Sequence, residues 1–162
     1  WRNDCAGHSR AYEIFLIAAA KTRKYSMQTL DYQMVTTADA LNGLVKQWLQ
    51  LPWVALDTEF LREDTYFPIP ALIQLYDGQT IYLIDPLTID NFDALTELLG
   101  ASSVVKIMHS CSEDLEIFRL LCEVVPRPLF DTQIAAGYSG IGFSMSYQGL
   151  VQSVLDLSLI HI

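Results

Sequence analysis

Asp77-Gly78 lies between two short apolar runs, Leu72 to Tyr76 and Thr80 to Ile84, and a third run, Trp53 to Phe60, precedes them. An Asp-Gly pair in that position is among the strongest short hairpin signals, because glycine accepts the positive φ that a tight turn demands. The spacing predicts three antiparallel strands. Around them the pattern alternates: a short strand at Tyr32 to Val35, a helix from Ala38 to Leu49 capped by Thr36 or Thr37 and closed by Pro52, and a helix over Phe92 to Leu99. A buried strand Val104 to Met108, a helix Ser112 to Cys122 and a further helix after Asp131 follow. Asp85 before Pro86 fits a turn. This order gives an α/β domain, and 162 residues with 51% hydrophobic side chains supply one core and no second full domain.

The two ends differ from the middle. Residues 1–26 lack a sustained strand or helix period, so they are expected to be a non-native or disordered leader, with Met27 the natural start; a short helical arm, Ala11 to Ala20, is the alternative. Leu157-Ser158-Leu159-Ile160-His161-Ile162 matches what a transposon sequencing adapter encodes in one reading frame. The expected folded domain is therefore 27–156, with 157–162 an adapter-derived tail.

A net charge of −9 argues against binding nucleic acid through one broad basic surface. It leaves open an enzyme that meets phosphate through a cation held by carboxylates. Three cysteines, Cys5, Cys111 and Cys122, form no C-x-x-C pair and fit a reducing cytoplasm. The apolar stretch Ile14 to Ala20 is too short to span a bilayer, and Lys21, Arg23 and Lys24 follow it where a signal peptide would place them before. A cytoplasmic protein with no membrane association is expected. Nothing in the sequence calls for an obligatory protein partner.

Within Trp53 to Phe60, strand alternation sends Asp57 and Glu59 to one face and Leu56, Thr58 and Phe60 to the other. Two carboxylates so close repel unless protons or cations compensate, and oxygen ligands of this kind suit Mg²⁺ or Mn²⁺. The alternative is that the pair marks the wet end of a strand, and a D-x-E alone does not decide it. His109-Ser110-Cys111-Ser112-Glu113-Asp114-Leu115 adds weight. It reads as a strand end entering a helix with Ser112 as N-cap, so Asp114 lies in the first turn, one helical step before Phe118 on the stripe facing the sheet. An acid there can simply complement the helix dipole, but this one points inward.

These motifs resemble the ribonuclease D family of the DEDD 3′-5′ exonuclease superfamily: Leu56-Asp57-Thr58-Glu59-Phe60 meets its first motif and His109 to Phe118 its second. Pro68 to Gly78, Leu83 to Pro86 and Phe130-Asp131-Thr132-Gln133 are similar to that family too, over about residues 29–156. The resemblance implies a ribonuclease H-like mixed sheet with flanking helices, incomplete at the C-terminus. It also implies hydrolysis of RNA from the 3′ end with two Mg²⁺ or Mn²⁺ ions, 5′-mononucleotides as products and transfer RNA precursors as substrates. Asp57, Glu59 and Asp114 would be the catalytic metal ligands, with Thr58, Phe60 and His109 lining the last nucleotide. The family's third motif, a Tyr followed four residues later by an Asp, lies beyond this chain, as do the C-terminal domains that add RNA-binding surface. The 162-residue chain is accordingly expected to be inactive.

Other assignments compete. His109 with Cys111 would be half a zinc site, but no second Cys or His pair stands at ligand spacing. Asp131 reads as a helix cap rather than a ligand. Phe60 fits ordinary core equally well, and Tyr66 and Phe67 fit core packing as well as stacking on a base. Arg62, Arg119 and Arg127 read as solvated, and Glu113, Glu116 and Glu123 as solvent-facing helix charges. A DNA proofreading or repair exonuclease and a non-catalytic nucleic-acid-binding domain of the same fold remain the alternatives.

Overall fold

The computed structural model describes residues 32–62 and 66–155, so the expected leader, the helical arm and the tail lie outside the described residues. Two compact units divide at Thr132: Leu30–Thr132, and a second whose described part is 133–155.

The first unit holds a six-stranded mixed sheet of order β1-β4-β3-β2-β5-β6. β1 (Tyr32–Val35) is parallel to β4 (Ile81–Ile84); β4 and β2 (Trp53–Leu61) are antiparallel to β3 (Ile69–Tyr76); β2, β5 (Val105–Met108) and β6 (Leu129–Asp131) run parallel. The hairpin forms at Asp77-Gly78, where Gly78 takes φ +98 and the Asp77 carboxylate accepts from the N–H groups of Gln79 and Thr80, both at 2.8 Å. β3 begins earlier than its sequence predicts. Pro70 lacks a ladder donor but stands where the β2–β3 register shifts between Glu59 and Phe60, and proline is tolerated at such a bulge. The three-residue β6, hidden behind Pro126 and Pro128, has too short a pattern to be read from sequence.

One face of the sheet carries the core. Val54 and Leu56 of β2, Ile73 and Leu75 of β3 and Tyr82 and Ile84 of β4 lie in register and form one buried cluster. Leu41, Leu44, Val45 and Trp48 of α1 (Ala38–Trp48), Leu95, Leu98 and Leu99 of α2 (Asp93–Gly100), and Phe118 and Cys122 of α3 (Ser112–Cys122) join the same cluster. Thr37 caps α1 through the Ala40 N–H at 3.3 Å, as one of the two predicted caps. Asp85 makes the expected turn, accepting from Leu87 N–H at 2.9 Å.

Lys106 breaks the apolar pattern of β5. It pairs in register with Val54, is fully buried, and directs Nζ at the carbonyls of Leu98, Ala101, Val104 and Arg127, at 3.2, 2.9, 2.8 and 2.7 Å. Burial pulls its pKa down from 10.5 to about 8. The ammonium thus ties the end of α2 to the strand that follows and to the approach to β6.

In the second unit, α4 (Thr132–Tyr138) and α5 (Tyr147–Leu155) are joined by a loop in which Gln133 donates to the Met145 carbonyl at 2.8 Å. The helix after Asp131 was predicted; α5 was not. No helix among the described residues is long and apolar enough to cross a membrane.

Candidate active site

β2 outruns its neighbour. Its parallel pairing with β5 ends at Ala55↔Ile107, while β2 continues to Leu61, so among the described residues no strand pairs with that edge of β2 beyond Ala55. Backbone groups on such an edge need another partner. Asp114 supplies it: its Oδ1 accepts from the Thr58 N–H at 3.0 Å and from the Thr58 hydroxyl at 2.6 Å. The inward stripe of α3 is as predicted, with Asp114, Ile117, Phe118 and Cys122 buried.

The start of α3 is corrected. Ser112 is not the N-cap; the helix begins there with Cys111 at the cap position and no side-chain cap bond. The Cys111 N–H, one of the four at that end without an intrahelical partner, is taken by the Asp131 carboxylate at 3.0 Å.

Asp57 and Glu59 fall on the sheet face opposite the core cluster, as alternation requires. Leu56 and Thr58 are buried on the other side. Asp114, arriving from the helical side, reaches the open edge between the two faces and bears on both. Asp57 is pushed from 3.8 up to about 8, chiefly by burial, then by the charges of Asp114 and Glu59. Burial raises Asp114 from 3.8 to about 6, against the opposing pull of the Thr58 hydroxyl and N–H. The carboxylates expected as a set therefore act on one another electrostatically. Among the described residues, no basic side chain forms an ion pair with Asp57 or Asp114.

Such a group of carboxylates is compensated by protons or by a divalent cation. The donor set, carboxylate oxygens only, fits a hard ion of the Mg²⁺ or Mn²⁺ kind. No three His, Cys, Asp or Glu side chains among the described residues already converge into a cage, and mutual repulsion of the acids opposes such closure.

Of the remaining expected residues, Thr58 has a hydrogen bond to one of these acids. Thr58 is buried and engaged with Asp114; Phe60 is partly buried beyond the bulge, 5.9 Å from the Arg62 guanidinium. His109 follows β5, with Nδ1 2.8 Å from the Thr132 hydroxyl. Arg62, Glu113 and Glu116 reach solvent as expected and also pair, Arg62 with both acids, linking the end of β2 to α3, with Glu113 at 3.9 Å. A zinc role for Cys111 fits poorly, since burial and the neighbouring Asp131 and Asp114 hold its thiol up at about 12, and zinc takes thiolate. Sequence reasoning missed the part Asp131 plays at the turn before α3. The Phe130-Asp131-Thr132-Gln133 run marked the segment but not what its side chains reach.

Comparison with known proteins agrees with this fold. Residues 32–161 match the model of a family described as 3′-5′ exonuclease. Ribonuclease D of Pseudomonas paraeruginosa is 49% identical over 129 residues, covering 80% of this chain and 34% of that protein. The crystal structure of Escherichia coli RNase D, described as an exoribonuclease involved in structured RNA processing, superposes with a TM-score of 0.77 at 42% identity, over 80% of this chain and 35% of that one. Trypanosoma brucei RNase D in complex with RNA U12, 19% identical with a TM-score of 0.71 over 93% of this chain and 52% of that one, shares the fold. The chain spans about a third of the length of the curated relatives it matches. With the carboxylates on β2 and α3 and the mixed sheet that presents them, the chain belongs to the 3′-5′ exonuclease family, with ribonuclease D enzymes among its relatives.

Proposed function

We propose that the protein carrying this chain is a divalent-ion-dependent 3′-to-5′ exoribonuclease that trims RNA 3′ ends, transfer RNA precursors among them, and releases 5′-mononucleotides. Asp57, Glu59 and Asp114 are the catalytic acids and hold two Mg²⁺ or Mn²⁺ ions. The observation that carries this reading is the placement of Asp57 and Glu59 on one face of β2 with the Asp114 carboxylate held on Thr58 between them, in a chain 49% identical to a ribonuclease D. Bound ions supply Lewis-acid stabilisation of the attacking and leaving oxygens of a phosphodiester.

The chain's own residues do the positioning. Asp57 and Glu59 present two carboxylates from one strand face, and Thr58 anchors the third carboxylate at the strand's open edge. Thr58, Phe60 and His109 line the place of the terminal nucleotide, and Thr132 orients the His109 ring.

Single-stranded RNA labelled at its 5′ end tests the reading with the full-length protein. A ladder shortening from the 3′ end in Mg²⁺, no cleavage in EDTA, and a loss of at least 100-fold in Asp57→Asn with an unfolding midpoint in EDTA no lower than the wild type's are expected. Cleavage that persists in EDTA, or full activity in Asp57→Asn, contradicts it. A matched DNA strand degraded faster than the RNA replaces the exoribonuclease assignment with a DNA exonuclease.

A further inference from the structure

Two adjacent residues at the end of β6 grip four consecutive residues of the turn that enters α3. The Asp131 carboxylate accepts from the N–H groups of Ser110 (Oδ1, 3.1 Å) and Cys111 (Oδ2, 3.0 Å). The Thr132 hydroxyl donates to the Met108 carbonyl at 3.1 Å and lies 2.8 Å from His109 Nδ1. With its proton committed to Met108, the hydroxyl oxygen is an acceptor toward the imidazole, so Nδ1 is the protonated nitrogen. The parallel register explains the reach: Met108 stands opposite Asp131, so both chains leave the sheet side by side.

The grip falls where the backbone needs one. Ser110 has φ 54, a left-handed setting that a non-glycine residue adopts only under local constraint. Successive N–H groups at such a turn form a concave donor pair suited to an anion, and here a carboxylate from the same chain fills it. α3 begins at once after this turn, with Asp114 in its first turn and its Oδ1 on Thr58. A shift at Ser110 or Cys111 therefore moves Asp114.

We propose that Asp131 and Thr132 are positioning residues that set two parts of the site together, Asp131 fixing the entry of α3 and so the Asp114 carboxylate, Thr132 fixing the His109 ring. The proposal rests on the reading of Asp57, Glu59 and Asp114 as ion ligands. Neither residue acts on ion or substrate directly. Residues that orient metal ligands in this way typically cost 10- to 100-fold in metal affinity or activity when changed.

The test compares Asp131→Asn, Thr132→Val and Thr132→Ser in the full-length protein by Mn²⁺ calorimetry and RNA hydrolysis. Asp131→Asn keeps the shape but loses one acceptor oxygen. It is expected to weaken Mn²⁺ binding about tenfold and to raise the half-saturating Mg²⁺ concentration equally, with kcat recovered at high ion and KM for RNA unchanged. Thr132→Val is expected to lower kcat/KM about tenfold without altering Mn²⁺ affinity, and Thr132→Ser, which keeps the hydroxyl, to restore it. A lowered unfolding midpoint with unchanged ion affinity in Asp131→Asn, or equal kcat/KM in the Val and Ser variants, overturns the proposal. If Asp131→Asn fails to fold, the Thr132 pair decides. A wild-type protein that neither binds Mn²⁺ nor requires a divalent ion overturns the ion-site reading itself, an outcome distinct from wild-type binding that the Asp131 change leaves untouched.

Discussion

At Asp57, burial and the neighbouring charges act in the same direction, and the carboxyl rises to about 8 while Asp114, relieved by Thr58, rises only to about 6. A carboxyl whose folded pKa lies above its unfolded value favours folding fully below the unfolded pKa, and that contribution is lost as pH rises through the folded pKa. For Asp57 the window runs from 3.8 to about 8. In EDTA, the stability of the wild-type protein is therefore expected to fall across that range, by at most about 1.4 kcal/mol per pH unit from this group. Asp57→Asn should remove the fall and be the more stable protein at pH 8 by a few kcal/mol. Urea unfolding at pH 5 and pH 8 measures this; a wild type as stable as the variant at pH 8 rejects the repulsion described. The two facing carboxylates were legible in sequence because strand alternation is a strict rule. Their coupling to Asp114 was legible only as an inward-pointing acid, since the partner, Thr58, lies 56 residues away in the chain.

Among the elements, β2 and α3 carry the proposed site and Lys106 ties together α2, β5 and the approach to β6. The predicted strands and helices agree with those observed within a few residues wherever the pattern is long, as in α1, β2 and α3. Sequence failed where length or proline removed the signal: β6 has three residues, and Pro70 concealed the first part of β3. Lys106 left a trace, a lone cation between Val104 and Met108 on the core-facing parity of a buried strand, but which carbonyls it would meet depends on α2 and β6 together. Lys106→Met is expected to cost about 3 kcal/mol by removing the ammonium that those four carbonyls share. Because the folded pKa of Lys106 is depressed from 10.5 to about 8, the unfolded chain binds more protons between those values. Wild-type stability gains from this group as pH rises from 8 to 10.5, and Lys106→Met lacks that gain. Denaturation of both proteins at pH 8 and pH 10 checks the difference; parallel curves exclude a perturbed ammonium.

On the scale of the whole molecule, the proposed function rests on one architectural feature: β2 extends past β5, and among the described residues its open edge is met by an acid from α3 rather than by another strand. That mismatch brings an acid from the helical side of the sheet to two acids from the other side. It follows from strand lengths and register that no local pattern encodes, although the resemblance of the motifs to ribonuclease D carried the same arrangement implicitly. The claim that these acids form a divalent-ion site is tested most directly by calorimetric titration of the full-length protein with Mn²⁺ at pH 8, beside Asp57→Asn/Asp114→Asn. The account predicts saturable binding and a raised unfolding midpoint for the wild type, and neither for the variant. Equal binding by both proteins, or none by the wild type, would contradict it.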